Sequence, residues 1–166
     1  LGRALANSLL NMNYKVIGFR RRKKPVDGIE IYYGASMLED FLSKVNILVI
    51  LLPKTSDTRH IINSKTLKLM PRNSFLINAG RGDLVCERDL LRLINEGHIQ
   101  AAALDVFEHE PLSRKSELWI NPNVYITPHI ASNTCPESSS MYIAKAIFDY
   151  RKGKLWPNVV EVDHEY

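Results

Sequence analysis

Apolar residues in this chain form two kinds of run: short unbroken runs, and longer ones with helical spacing. Residues 45–52 are nearly all aliphatic and are stopped by Pro53, which is typical of a buried parallel strand. Strands that alternate with helices predict an α/β fold built on a doubly wound parallel sheet. The predicted strands are 15–19, 28–34, 45–52, 74–78, 99–107 and 124–126, and the predicted helices are 2–12, 36–43, 87–95 and 136–152.

Polar residues at the helix starts refine these boundaries. Ser36 with Glu39, and Thr134 with Glu137, match the capping-box pattern, and Ser64 is a candidate cap for a short helical turn. The chain opens as Leu-Gly-Arg-Ala, inside a predicted helix and without an initiating methionine. We therefore interpret the sequence as a fragment.

Composition excludes some classes of protein. The 166 residues, 45% hydrophobic and 24% charged, suffice for one domain with a core. No apolar run has membrane-spanning length, so no membrane partner is expected. Two cysteines make no disulfide framework, which favours the cytoplasm, and no Cys/His grouping has metal spacing. Much of the net charge of +4 lies in the run 20–24, which indicates a local anion site.

A glycine-rich loop follows the predicted strand 74–78. It reads Asn78-Ala79-Gly80-Arg81-Gly82, and ligands of open α/β sheets bind outside the carboxyl ends of the strands. We expect Gly80 and Gly82 to let the backbone approach a ligand, and the guanidinium of Arg81 to suit a carboxylate. The alternative is an ordinary surface turn with a solvated arginine.

Two further strand ends carry ionisable side chains. Glu110 follows Asp-Val-Phe at 105–107, and His129 follows Thr-Pro at 127–128. Because parallel strands end at one edge of their sheet, we expect Arg81, Glu110 and His129 to converge there. The alternatives are a solvated loop carboxylate and an ordinary loop histidine.

These motifs, in this order and spacing, resemble the NAD(P)-binding domain of the D-isomer-specific 2-hydroxyacid dehydrogenases, and look most like members that reduce glyoxylate and hydroxypyruvate. The resemblance implies a Rossmann-type sheet whose first strand is missing here. It implies a cofactor domain at 1–134, and at 135–166 a C-terminal helix and tail belonging with an absent substrate domain. The similar stretches are 1–2, 51–53, 77–82, 103–107, 110–112, 118–119 and 126–131, with Val162, Asp163 and Tyr166 in the tail.

The resemblance also implies a mechanism. Arg81 would bind the carboxylate and carbonyl oxygen of a small 2-oxo acid. His129 would protonate the carbonyl oxygen as hydride arrives, and Glu110 would accept a hydrogen bond from its other ring nitrogen, which fixes the tautomer. The implied protein is an NAD(P)-dependent reductase and a homodimer, although this chain alone is expected to be inactive.

The basic run bears on the cofactor. Arg20 stands where NAD enzymes of this fold carry an acidic residue, and with Arg21 it favours NADPH, NAD remaining possible. The alternatives are a solvated loop or a nucleic-acid patch, which the lack of interleaved aromatic residues disfavours. Gly2 is a further candidate cofactor residue, for which the alternative is a frayed chain end. The other candidates, for which the alternative is plain strand-end packing or capping, are Leu52, Pro53, Asn78, Ala79 and Asp105.

Two other functions stay open at this point. Some relatives with this fold are NAD(H)-sensing interaction proteins or corepressors, and a remnant without function is a third reading. The helix at 136–152 is expected to expose an apolar face that a substrate domain would cover. That face consists of Ile143, Ala146, Ile147 and Tyr150.

Overall fold

In the described part of the chain, six strands, all paired in parallel, form the framework of the protein. The structure, a computed structural model, describes residues 1–132, 134–157 and 159. Parallel strands with intervening helices confirm the predicted α/β class. The strands are β1 (Ile17–Arg20), β2 (Glu30–Tyr33), β3 (Ile47–Ile50), β4 (Ser74–Asn78), β5 (Ile99–Leu104) and β6 (Val124–Ile126).

Helices connect most of these strands. Three short 3₁₀ segments, 35–37, 82–84 and 117–120, lie in the loops. No helix in the described part of the chain is long and apolar enough to cross a membrane. The helices are α1 (Gly2–Asn11), α2 (Leu38–Leu42), α3 (Ser64–Leu67), α4 (Glu87–Asn95) and α5 (Pro136–Arg151).

The strands pair in two groups. β1 pairs with β2, and β3, β4, β5 and β6 pair in that order. Within the larger sheet the register aligns Ile50 with Asn78, Asn78 with Leu104, and Leu104 with Ile126. The four strands therefore end level, and the loops that follow them begin along one edge, which we call the carboxyl rim.

The two faces of the larger sheet differ in exposure. One face contributes Leu48, Leu76 and Leu104 to the main core, together with helix residues such as Leu67 and Leu90. Side chains alternate between the two faces along a strand, so the intervening residues lie on the other face. Several of them are exposed. This exposed sheet face includes Ile47, Phe75, Ile77 and Tyr125, whose side chains are 51%, 43%, 37% and 65% exposed.

Several predicted boundaries are wrong. The strands predicted at 45–52 and 99–107 end at Ile50 and Leu104, because the chain leaves the pairing register there and turns into the rim loops. The two capping boxes do not form. α2 and α5 follow Met37 and Cys135, neither of which makes a capping bond to a described residue.

The short helix α3 is capped by a different residue from the one predicted. Asn63, not Ser64, is its N-cap: the Asn63 side chain accepts hydrogen bonds from the N–H groups of Lys65 and Thr66. The Thr66 hydroxyl in turn accepts from the Asn63 N–H at 2.8 Å. Asparagine and serine are equally good N-caps, so residue preference does not select between Asn63 and Ser64. The path of the backbone into α3 makes Asn63 the cap.

The chain divides into two compact units, 1–128 and 129–166. In the second unit Ile143, Ile147 and Tyr150 are exposed, as predicted, whereas Ala146 is buried, against the prediction. The division at 134/135, and the docking of the second part on a substrate domain, stay predictions. The similar tail residues Val162, Asp163 and Tyr166 lie outside the described residues.

Candidate active site

Asn78 organises the loop that carries Arg81. It ends β4 with only 1% of its surface exposed, and its side chain bonds the loop in two directions. Its Nδ2 donates to the carbonyl of Arg81 at 3.0 Å, and its Oδ1 accepts from the N–H of Gly80 at 3.1 Å. Ala79 donates its N–H to the Ile50 carbonyl at 3.2 Å. The loop is therefore held from inside the sheet, and Arg81 is left exposed above it.

The two glycines beside Arg81 have a packing role that the sequence analysis did not predict. A Cβ on Gly80 would lie 3.0 Å from the Leu52 carbonyl oxygen, and one on Gly82 would lie 1.9 Å from the carbonyl carbon and oxygen of Phe107. Both glycines therefore closely approach the protein's own backbone, and their approach to a ligand stays a prediction. This packing presses the Arg81 loop against the loops that follow β3 and β5.

The loop after β5 carries the two predicted carboxylates. Asp105 is 6% exposed, donates its N–H to the Asn78 carbonyl at 3.0 Å and accepts a hydrogen bond from the Thr127 hydroxyl. Glu110 folds back on its own loop, where its Oε1 accepts from the N–H of Phe107 at 3.0 Å. Since Gly82 packs on Phe107, the Arg81 and Glu110 loops are joined at the carboxyl rim.

A group of charged residues missed by the sequence analysis lies at this junction. Glu87, the first residue of α4, and Glu108 bond each other twice. The Glu87 N–H donates to Oε1 of Glu108 at 2.8 Å, and the Glu108 N–H donates to Oε1 of Glu87 at 2.6 Å. His60 Nε2 lies 3.2 Å from Oε2 of Glu108. The available signal was Cys86, a poor capping residue before a helix, which indicates that the cap comes from elsewhere.

The pKa values of two carboxyl groups near this junction are shifted in opposite directions. Burial raises the pKa of Glu87, the N–H of Glu108 offsets part of that rise, and the negative charge of Glu108 adds to it. Hydrogen bonding and ion pairing with Lys54 lower the pKa of Asp83. Asp83 therefore stays ionised beside the Arg81 loop, whereas the ionised form of Glu87 is disfavoured in the folded protein.

Replacing Glu87 with glutamine tests whether the ionised Glu87 carboxylate destabilises the folded protein. When a carboxyl group has a higher pKa in the folded than in the unfolded protein, the folded protein loses stability as the pH rises. The loss occurs between the pKa of the unfolded state, roughly 4.3, and the pKa of the folded state. Glutamine keeps the accepting oxygen without the charge. We expect Glu87→Gln to flatten this part of the stability–pH curve in urea unfolding, relative to Glu96→Gln at the exposed end of α4. An unchanged slope would contradict the assignment.

His129 opens the second unit. It is exposed, and its φ of 56° places its backbone in the left-handed region. Thr127 and Pro128 before it close the first unit, where the Thr127 N–H donates to the Leu104 carbonyl at 3.0 Å. The first unit brings Arg81 and Glu110 to one rim, and the approach of His129 to them stays a prediction.

The predicted cofactor residues fall in three places: the end of β1, the carboxyl rim and the start of α1. Arg20 ends β1, where its Nη1 donates to the Lys24 carbonyl at 3.2 Å, and Arg21 is exposed beside it. Leu52 lies against Gly80, and the Pro53 carbonyl accepts from the Thr58 hydroxyl at 2.8 Å, so this pair borders the Arg81 loop.

Gly2, the remaining predicted cofactor residue, begins α1 with open space around its Cα. Among the described side chains, no three His, Cys, Asp or Glu residues are placed to hold a metal ion.

Comparison with known proteins gives a consistent result. The sequence profile described as "D-isomer specific 2-hydroxyacid dehydrogenase, NAD binding domain" matches residues 1–131. Over 154 residues the chain is 39% identical to the glyoxylate/hydroxypyruvate reductase A of Salmonella newport, covering 93% of this chain and 49% of that protein. The chain thus spans about half the length of the curated relatives it matches.

Solved structures agree. A D-isomer specific 2-hydroxyacid dehydrogenase from Xanthobacter autotrophicus Py2, in complex with NADPH and MES, superposes with a TM-score of 0.96 at 37% identity, over 100% of this chain and 69% of that one. An NADPH-dependent glyoxylate/hydroxypyruvate reductase from Sinorhizobium meliloti, in complex with NADP and sulfate, gives 0.94 at 38% identity, over 100% and 54%.

Proposed function

Because the chain belongs to the D-isomer-specific 2-hydroxyacid dehydrogenases, we propose that the protein reduces small 2-oxo acids, glyoxylate and hydroxypyruvate among them, with NADPH. The observation that carries the proposal is the junction of two loops at the carboxyl rim: Gly82 in the Arg81 loop packs directly on Phe107 in the Glu110 loop. A cation for the substrate and a carboxylate for an acid–base partner thereby share one site.

Arg81 binds the substrate in this proposal. Its Nη1 donates to the neighbouring Gly80 carbonyl at 2.7 Å, which restrains the guanidinium next to its own loop. The remaining N–H groups of a guanidinium form a planar fork that matches a carboxylate and the adjacent carbonyl oxygen. Restraint in this orientation lowers the entropic cost of aligning the substrate.

Glu110 and His129 handle the proton. His129 donates it to the carbonyl oxygen, and Glu110 accepts a hydrogen bond from the other ring nitrogen, which selects the tautomer and stabilises the imidazolium. The Phe107 N–H supports Glu110 by bonding its Oε1. NADPH, when bound, supplies the hydride.

The cofactor is assigned from the chemistry of the donors at the end of β1. Arg20 and Arg21 place two cations where a 2′-phosphate of NADPH binds in this fold, and no acidic side chain follows β1 before Asp27. The two arginines therefore fit NADPH better than NADH. The Asn78 side chain bonds its own loop, so we propose that it acts by holding Gly80 and Arg81, while Ala79 borders the cofactor. The other residues proposed to border the cofactor are Gly2, Leu52, Pro53 and Asp105.

The test is oxidation of NADPH and NADH by the protein in its full natural length, with glyoxylate and hydroxypyruvate as substrates. We expect turnover that is faster with NADPH. Arg20→Asp combined with Arg21→Ser should shift the ratio of kcat/KM values towards NADH by about 100-fold, since each charge-assisted bond contributes about 1.5–3 kcal/mol.

Arg72→Asp is the matched control, because Arg72 is an exposed arginine at the opposite, amino end of β4. An unchanged ratio in the Arg20/Arg21 variant would contradict the assignment of the cofactor. Cofactor binding without turnover on any small 2-oxo acid would instead favour an NAD(P)(H)-sensing interaction protein. A homodimer and a cytoplasmic location stay predictions. Light scattering, which measures the mass of the assembly, would test the homodimer.

A further inference from the structure

Glu108 joins separate parts of the chain through both carboxylate oxygens and its N–H. Its Oε1 accepts from the Glu87 N–H at the start of α4, its Oε2 lies 3.2 Å from His60 Nε2, and its own N–H donates to the Glu87 carboxylate. We call Glu108, Glu87 and His60 the Glu108 cluster. Cys86, the N-cap of α4, makes no side-chain capping bond to a described residue. The Glu108 carboxylate takes that role by accepting from the Glu87 N–H.

The His60 side of the cluster leads to the Arg81 loop. His60 adopts a φ of 47°, which a non-glycine residue holds only when its surroundings compensate the strain. Its N–H donates to the Asp83 carbonyl at 2.7 Å, and its carbonyl accepts from Nδ2 of Asn63 at 2.8 Å. Asp83 in turn forms an ion pair with Lys54. His60 is thereby fixed to the segment two residues beyond Arg81.

The Glu108 side leads to Glu110. Glu108 lies between Phe107, whose N–H holds the Glu110 carboxylate, and the Glu110 residue itself. Gly82 packs on the Phe107 carbonyl and would bring a Cβ within 2.5 Å of the Glu108 nitrogen. The cluster therefore connects the loops after β3, β4 and β5, two of which carry Arg81 and Glu110.

We propose that Glu108 is a positioning residue: through Glu87 and His60 it sets the spacing between the Arg81 loop and the Glu110 loop. The inference rests on the proposed function of that site. Glu108 acts on the reaction only through these loops, because its carboxylate is already bonded by Glu87 and His60. A displacement of reacting groups by about 1 Å can cost up to 100-fold in rate, so loss of this spacing has a measurable effect.

Kinetics of two Glu108 variants, in the protein at its full natural length, test the proposal. We expect Glu108→Ala to lower kcat on glyoxylate or hydroxypyruvate by about tenfold or more, with the KM for NADPH within about twofold of the wild-type value. Glu108→Gln keeps an oxygen for the Glu87 N–H and should recover most of kcat. Glu96→Ala is the control, because Glu96 is an exposed glutamate that directly follows α4.

Backbone amide exchange supplies a readout besides activity. In Glu108→Ala the amides of Glu87 and Phe107 should exchange faster than in the wild type, and in Glu108→Gln they should stay protected. A variant weakened only in overall stability would instead exchange faster throughout the core.

The possible failures are distinct. Wild-type protein with no turnover would overturn the proposed function and this inference together. Active wild type with Glu108→Ala kinetics equal to those of Glu96→Ala would overturn the positioning role alone. The same holds if Glu108→Ala and Glu108→Gln lose kcat equally while their loop amides stay protected.

Discussion

Gly82→Ala should leave little folded protein. The new Cβ would lie 1.9 Å from both the carbonyl carbon and the carbonyl oxygen of Phe107. These are backbone atoms of Phe107, a buried residue in the loop after β5, so no side chain can rotate away to make room. We expect a loss of at least about 3 kcal/mol of unfolding free energy, a large share of the stability of an ordinary domain.

Urea unfolding measures this loss, and Gly2→Ala is the matched control. A Cβ on Gly2 meets no atom within 4 Å, so this variant should stay within about 0.5 kcal/mol of the wild type. Equal unfolding midpoints for the two variants would show that the Phe107 loop can move away, and the junction would then not be the rigid element that we infer.

His129→Ala should nearly abolish turnover while leaving NADPH bound. Loss of a positioned general acid typically costs 10²–10⁴-fold, and we expect about 1,000-fold in kcat. Retained binding, measured as a rise in Tm on addition of NADPH, separates a chemical role from a folding defect.

His98→Gln controls for the loss of a histidine. His98 precedes β5 at the amino end of the sheet, and its Nε2 lies 3.1 Å from the Leu67 carbonyl oxygen. Turnover by His129→Ala above about a tenth of the wild-type value would exclude His129 as the proton donor.

The order of elements was predictable because the hydrophobic pattern carries it. The unbroken aliphatic run at 45–52 predicts a central parallel strand. The structure has a parallel strand there, but β3 lies at the edge of the larger sheet and exposes Ile47 on one face. The strand ends were predicted less well, since pairing register decides where a strand stops and register depends on its neighbours. Helix caps failed for a related reason: Asn63 and Ser64 are equally good caps, and only the fold selects between them.

The candidate site was predictable where it follows from topology. Arg81 and Glu110 each follow a parallel strand, and parallel strands end at one rim. The Glu108 cluster was not predictable, because His60 and Glu108 are 48 residues apart and nothing in either local sequence announces the pair. Gly82 was recognised as a close approach, but a single sequence does not tell whether the approaching atoms belong to a ligand or to Phe107.

The exposed sheet face has a consequence for the life of this polypeptide in a cell. Ile47, Phe75, Ile77 and Tyr125 present aliphatic and aromatic surface to water on one side of the β3–β6 sheet. Chaperones and proteases continuously sort marginally stable chains in cells, and exposed apolar patches are aggregation liabilities. We therefore expect this face to influence the abundance of the polypeptide independently of the site at the carboxyl rim.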